Sequence, residues 1–194
     1  MGRWQPNARG RLQRAALELY GERGFEQTTV AEIAQRAGLT ERTFFRHFTD
    51  KREVLFANAE EFEGSFVRAL VAAPEATPPI EAVAAAAEAG AGAIQSDRAQ
   101  ARRRQAVIAA NAELQERELT KLARLTAALA GALRERGVPP ATASLAAEAG
   151  VAVFKVAFER WIGEEGEEDL PRLVRQSLDE LRALAAGAGA ASPG

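Results

Sequence analysis

With 194 residues, 47% hydrophobic and 27% charged, the chain has the composition of a folded globular protein, long enough for one sizeable domain or a small domain joined to a larger one. The absence of cysteine excludes a disulfide framework and any thiolate metal site. The net charge of −2 conceals a split: residues 1–56 carry ten Arg and Lys against seven Asp and Glu, or +3, leaving −5 for the remainder.

That split reads either as a chance fluctuation or as a small basic head that meets an anion, joined to an acidic body that does not. The longest stretch without Asp, Glu, Lys or Arg is the 12 residues 183–194, short of the roughly 20 apolar residues of a membrane helix. The basic N-terminal residues have no apolar segment behind them, so no signal peptide is expected. The protein is expected to be soluble and cytoplasmic, with no membrane partner.

Apolar residues recur at three- and four-residue spacing along almost the whole chain, which predicts helices and no strands. The first helix is expected over 8–23, with Leu12, Ala15, Ala16, Leu19 and Tyr20 on one face and Gly24 as a left-handed terminating residue. Thr29 to Glu32 reads as a capping box that opens a short helix ending near residue 37. Gly38 and Leu39 form a turn, and Thr40 caps a third helix to about residue 48. Asp50 and Glu53 open a fourth, expected to run unbroken to 71. The stretch AAPEATPP at 72–79 marks a linker or kink. Helices are predicted again over 80–95, 97–109 and 112–136. Gly137 to Pro140 is a stop-and-restart signal before a helix over 141–162. The acidic run GEEGEED at 163–169 leads into a last helix over 170–186, followed by a flexible tail at 188–194. The fold class is all-α, with about nine helices.

Residues 28–56 stand apart from this alanine-rich background. They hold the only histidine, His47, and Phe44, Phe45 and Phe48 among short polar and basic residues. Two short helices joined by a Gly-containing turn and packed on a longer first helix form the pattern of a helix-turn-helix module. Phe44 and Phe48 are four apart and can close a core with Val30, Ile33, Ala34 and Leu39 against Leu12, Leu19 and Phe25. Glu41, Arg42, Thr43, Phe45, Arg46 and His47 are then spread over the rest of a helix too short to bury them. Arg suits guanine, Thr and Phe suit thymine methyls, and His and Lys suit phosphates.

The run TVAEIAQRAGLTERTFFRHFTDKREVL resembles the signature of the TetR family of bacterial transcriptional repressors, without a gap from about Arg11 to Phe56. The resemblance implies an N-terminal three-helix DNA-binding domain over 1–52 and a larger helical ligand-binding and dimerisation domain over 53–187. It implies that Thr29 caps the supporting helix beside a phosphate and that Thr43 lies on the groove-facing side of the recognition helix. His47 and Lys51 fall at phosphate-contacting positions, and Glu41 and Arg42 at variable positions that choose the operator. Phe45 departs from the family, which usually has Tyr there. The hydroxyl contact to phosphate is then lost or replaced by apolar contact with a sugar or thymine methyl, and Arg46 can supply an anion contact instead. Arg3, Arg9 and Arg11 read either as a basic arm for the minor groove or as solvated residues of the first helix.

A homodimer on palindromic double-stranded DNA is implied, because one recognition helix reads too few bases. Phe154, Phe158, Trp161, Ile162, Val174, Leu178 and Leu181 are the expected interface, although the same stripes can complete a monomer core. The family resemblance also implies an inducer pocket for a small molecule, with Phe62, Phe66, Ile94, Val107, Ile108, Leu122 and Leu125 as apolar walls. Arg98 or Arg102 at its rim would suit an anionic head group, so a lipophilic or acyl-type effector is expected. Arg102 to Arg104 read otherwise as a solvated face. Nothing supplies a nucleophile and base, a metal ligand set or a cofactor motif, so no enzyme activity, metal or cofactor is expected. The alternative is a helical adaptor or lipophilic-ligand carrier that keeps the head as structure only.

Overall fold

Capping chemistry fixes where the N-terminal helices begin and end. In the computed structural model, which describes residues 7–163 and 169–187, α1 (Ala8–Arg23) is capped by Asn7, whose Oδ1 accepts the Gly10 amide at 2.8 Å. The helix stops at Gly24, where φ 84° and ψ 158° define extended positive-φ backbone open essentially to glycine alone, rather than the expected left-handed turn. α2 (Val30–Arg36) opens with the predicted capping box: Thr29 Oγ1 accepts the Glu32 amide at 3.2 Å, and Glu32 Oε2 accepts the Thr29 amide at 2.9 Å. Gly38, with φ 64°, makes the turn into α3 (Glu41–His47), where Thr40 Oγ1 accepts the Thr43 amide at 3.2 Å. Leu12, Ala16, Ile33 and Phe44 are fully buried, with Leu19, Phe25 and Phe48 nearly so, and together they close the core of this head.

The helix predicted over 50–71 is instead two, α4 (Glu53–Phe56) and α5 (Ala59–Ala72). Two arginines from elsewhere in the chain explain the break. Arg104 Nε donates to the Leu55 carbonyl at 2.7 Å, and the Arg9 guanidinium donates to the Ala57 carbonyl. Those carbonyls are satisfied without the amides one turn further on, so the helical ladder can lapse there. The remaining elements follow the prediction within a residue or two. They are α6 (Pro79–Ile94), a 3-10 turn at Gln95–Asp97, α7 (Arg98–Ala109), α8 (Ala112–Glu135), α9 (Pro140–Gly163) and α10 (Leu170–Ala185). No strand occurs among the described residues. The acidic loop at 164–168 and the tail at 188–194 lie outside them, as do the expectations made for them.

The chain forms two compact units, one of Met1–Ala59 with Gln100–Glu118 and the other of Glu60–Ala99 with Leu119–Gly194. The compact unit that holds the head thus also takes in residues 100–118. Val107, Ile108 and Leu114 are buried in the same cluster as Leu12, Tyr20 and Phe44. Polar contacts tie the same pieces together. Arg104 pairs with Glu118 at 2.6 Å, Arg117 pairs with Glu53 at 3.0 Å, and both guanidiniums lie over the Phe56 ring at 5.1 and 5.2 Å.

In the second unit α6, α9 and α10 pack against one another. Small residues allow the close approach: a Cβ on Gly90 would stand 1.7 Å from the Phe66 ring, and one on Gly150 would stand 2.0 Å from Val83 Cγ1. Arg136 fastens the end of α8 to the end of α5, donating to the carbonyls of Leu70, Ala73 and Pro74 at 3.1, 2.7 and 2.7 Å. By length and composition α9 is apolar enough to cross a membrane, and its buried face, from Ala143 to Trp161, belongs to this core.

Candidate nucleic-acid interface

Each face of α3 has a different environment. Phe44 and Phe48 point into the head at 0% and 3% exposure. On the opposite side Glu41, Arg42, Phe45 and Arg46 are exposed, and neither Arg42 nor Arg46 has an acidic partner among the described residues. Arg23 and Arg36, in the same unit, are by contrast paired, with Glu32 at 2.7 Å and Glu22 at 2.8 Å. Residues 42 and 46, one turn apart, with Glu41 beside them, present a net positive charge on a short, well-anchored ridge.

Thr43 is half-buried, and its hydroxyl lies 3.1 Å from that of Thr40, so the outward contribution of Thr43 is mainly its methyl. Thr29 is exposed, with its hydroxyl committed to the capping box, donating to Glu32 Oε2 at 2.9 Å. His47 is half-buried, with Nε2 shielded from solvent and lacking a hydrogen-bond partner. A phosphate contact through that nitrogen requires the ring to swing outward.

Lys51 is where geometry departs most from the resemblance. Its ammonium donates to the carbonyls of Phe25, Glu26 and Thr28 at 2.8, 3.1 and 3.1 Å and lies 4.5 Å from the Phe25 ring centroid. All three N–H groups are occupied here, so a phosphate contact by Lys51 requires it to give up one of these bonds. In the chain without DNA the lysine is an internal brace on the loop that leads into Thr29. Tyr20 completes the brace by donating its hydroxyl to the Lys51 carbonyl at 2.6 Å. Burial first, and the charge of Asp50 second, push the Tyr20 phenol well above its ordinary pKa, keeping it a neutral donor.

The candidate basic arm is likewise engaged at its described residues. Arg11 donates to the Ala37 carbonyl at the end of α2, and Arg9 lies 5.9 Å from the Phe48 ring centroid as well as bonding Ala57. Arg3 lies outside the described residues. Sequence inspection missed the bracing roles of Tyr20, Arg9 and Arg11, whose partners are 26 to 48 positions away and leave no local signal.

Two sets expected to be separate come together in the second unit. Phe62 and Phe66, predicted pocket walls, lie 5.5 and 5.2 Å from Phe154, a predicted dimer residue. Phe158 follows at 6.1 Å and Trp161 at 5.9 Å from Phe158, making one aromatic cluster, with Lys121 Nζ 5.1 Å from the Phe62 centroid. Phe154, Trp161, Val174 and Leu178 are at most 5% exposed within a single chain, which corrects their assignment to a dimer interface. Their apolar area is already used. Phe158, Ile162 and Leu181 remain half-buried, and the exposed large apolar residues on these helices are Leu145, Val156 and Leu184. Val107 and Ile108 are corrected from pocket walls to head core. Leu125 is buried, Ile94, Arg98 and Leu122 are half-buried, and Arg102 is exposed.

The chain is similar to known proteins over both regions. Residues 12–57 match the description "Bacterial regulatory proteins, tetR family", and residues 77–186, more than half of the chain, match a TetR C-terminal domain described as "MftR C-terminal domain". The HTH-type transcriptional regulator TcmR of Streptomyces glaucescens is 40% identical over 78 residues, covering 40% of this chain and 34% of that protein. The chain thus spans about a third of the length of this curated relative. Among solved structures, a TetR-family transcriptional regulator from Syntrophomonas wolfei superposes with a TM-score of 0.65 at 16% identity, covering 93% of this chain and 96% of that one. The transcriptional regulator FadR from Bacillus subtilis, in complex with stearoyl-CoA, gives 0.62 at 22%, covering 89% and 96%. At these identities the superpositions show a shared fold.

Proposed function

Because the chain belongs to the TetR family of bacterial regulatory proteins, we propose that it is a cytoplasmic, homodimeric, ligand-responsive repressor that binds a palindromic operator in double-stranded DNA. The observation that carries this reading is the outward face of α3, where Arg42 and Arg46 are exposed and unpaired among the described residues while Phe44 and Phe48 anchor the other side. Such a ridge fits a major groove, where guanidinium groups meet guanine edges and phosphates. Two copies set about 34–36 Å apart would read successive turns of the duplex. The exposed Leu145, Val156 and Leu184, at 72%, 46% and 65%, support pairing through α9 and α10.

The effector in this reading is small and lipophilic or acyl-type. The aromatic cluster from Phe62 to Trp161 supports it, being apolar apart from the Lys121 ammonium. So does the stearoyl-CoA bound by the similarly folded FadR. A ligand that favours one conformation of the second unit would shift the population of dimers away from the DNA-competent spacing.

Selection of randomised duplex DNA by the purified protein, followed by gel shift and sedimentation, tests the reading. The expected result is an inverted repeat bound by a dimer, with affinity that falls steeply with salt. A monomer, or a protein that retains no duplex, would sink it. Thermal-shift screening with fatty acids and acyl thioesters tests the effector class.

A further inference from the structure

The outward face of α3 carries an apolar group that nothing among the described residues covers. Phe45 is 55% exposed, midway along a helix whose other exposed side chains are charged. Its ring is held edge-on against the fully buried Phe44, with centroids 5.5 Å apart and planes at 82°. One side of the ring thus rests on the head core and the rest stays open, on a helix shared with Arg42 and Arg46, which lack partners among the described residues. Leaving such a ring in water gains nothing; covering it does. Its phenyl edge cannot donate a hydrogen bond, so it cannot read a phosphate or the polar edges of guanine, adenine or cytosine. The apolar group that a major groove offers is the 5-methyl of thymine. The Arg46 guanidinium beside it would hold a phosphate wall of the groove against that contact, while Arg42 meets a base edge.

Resting on the DNA-binding reading above, we infer that Phe45 is a specificity-determining residue that reads the 5-methyl group of a thymine in each operator half-site. Thr43 lies on the same helix but is half-buried, with its hydroxyl close to Thr40, and reaches out less far. The discrimination falls on the methyl itself, so it separates thymine from uracil although both pair with adenine.

The test uses the full chain and the duplex it selects. Each thymine is replaced in turn by deoxyuridine, and binding is compared for the wild type and Phe45→Ala. Loss of one buried methyl should weaken wild-type binding about fourfold at one thymine per half-site. Phe45→Ala should bind thymine and uracil equally at that position. A flat scan with the wild type overturns the inference and leaves the DNA-binding reading standing. So does an undiminished preference for thymine in Phe45→Ala, which would place the contact on another residue. Failure to select any duplex overturns both. The wild-type scan requires no variant to fold.

Discussion

The Lys51 ammonium lies 2.8 Å from the Phe25 carbonyl and 4.5 Å from the centre of the Phe25 ring, so one residue of the α1–α2 loop holds this cation twice. With the Glu26 and Thr28 carbonyls it forms a closed set of charge-assisted bonds just before the cap of α2. Lys51→Met keeps the stem and removes those bonds. It should cost about 2 kcal/mol of stability, since the site is only half-buried. The salt slope of DNA binding should stay the same. A slope lowered by about one unit with stability unchanged would restore a direct phosphate contact.

Arg42 and Arg46 are expected to separate base reading from phosphate holding. Arg42→Ala should relax preference at one base pair of the half-site, worth about 1–3 kcal/mol of discrimination. Arg46→Ala should weaken binding on every sequence and lower the salt slope by about one unit per chain. Titrations on the selected duplex and on single-base variants at several salt concentrations measure both. Equal effects of the two substitutions on cognate and unrelated DNA would refute the division.

Gly90 and Gly92 share α6, yet only Gly90 faces a neighbour. A methyl at Gly90 would collide with the Phe66 ring, whereas nothing lies within 4 Å of one at Gly92. Gly90→Ala should destabilise the protein by about 1–3 kcal/mol through overpacking. Gly92→Ala should stabilise it by up to about 1 kcal/mol through helix propensity. Chemical denaturation of the two variants gives the signs directly.

Asp50 sets an acid limit on the head. Burial opposes its ionisation, but the Arg52 guanidinium at 2.7 Å and the amides of Glu53 and Arg52 outweigh it and hold the carboxyl below its ordinary value. A depressed folded pKa means that the unfolded chain binds the proton first. The stabilisation is thus complete above the unfolded value of about 3.9 and is lost as pH falls through the folded one. Denaturation midpoints of Asp50→Asn and wild type should differ at pH 6 and converge towards pH 3. A constant difference across that range would exclude the linkage.

The sequence by itself determined the helices and most of their ends. Caps are local chemistry, so Thr29 with Glu32, Thr40 and Gly38 were readable from neighbours within four positions, as was the stop at Gly24 though not its extended backbone. The exposed ridge from Glu41 to Arg46 was readable for the same reason: a seven-residue helix with Phe44 on its inner face has only one outer face to offer. Tertiary structure alone decided which long-range groups meet. Helix α4 stops where Arg9 and Arg104 take the Ala57 and Leu55 carbonyls, and Lys51 turns inward because three carbonyls converge on it. Periodicity marks a side chain as apolar-facing without saying what it faces. Trp161, Val174 and Ile108 were therefore legible as buried, whereas whether a partner, a ligand or the chain itself buries them depends on contacts between residues far apart in sequence.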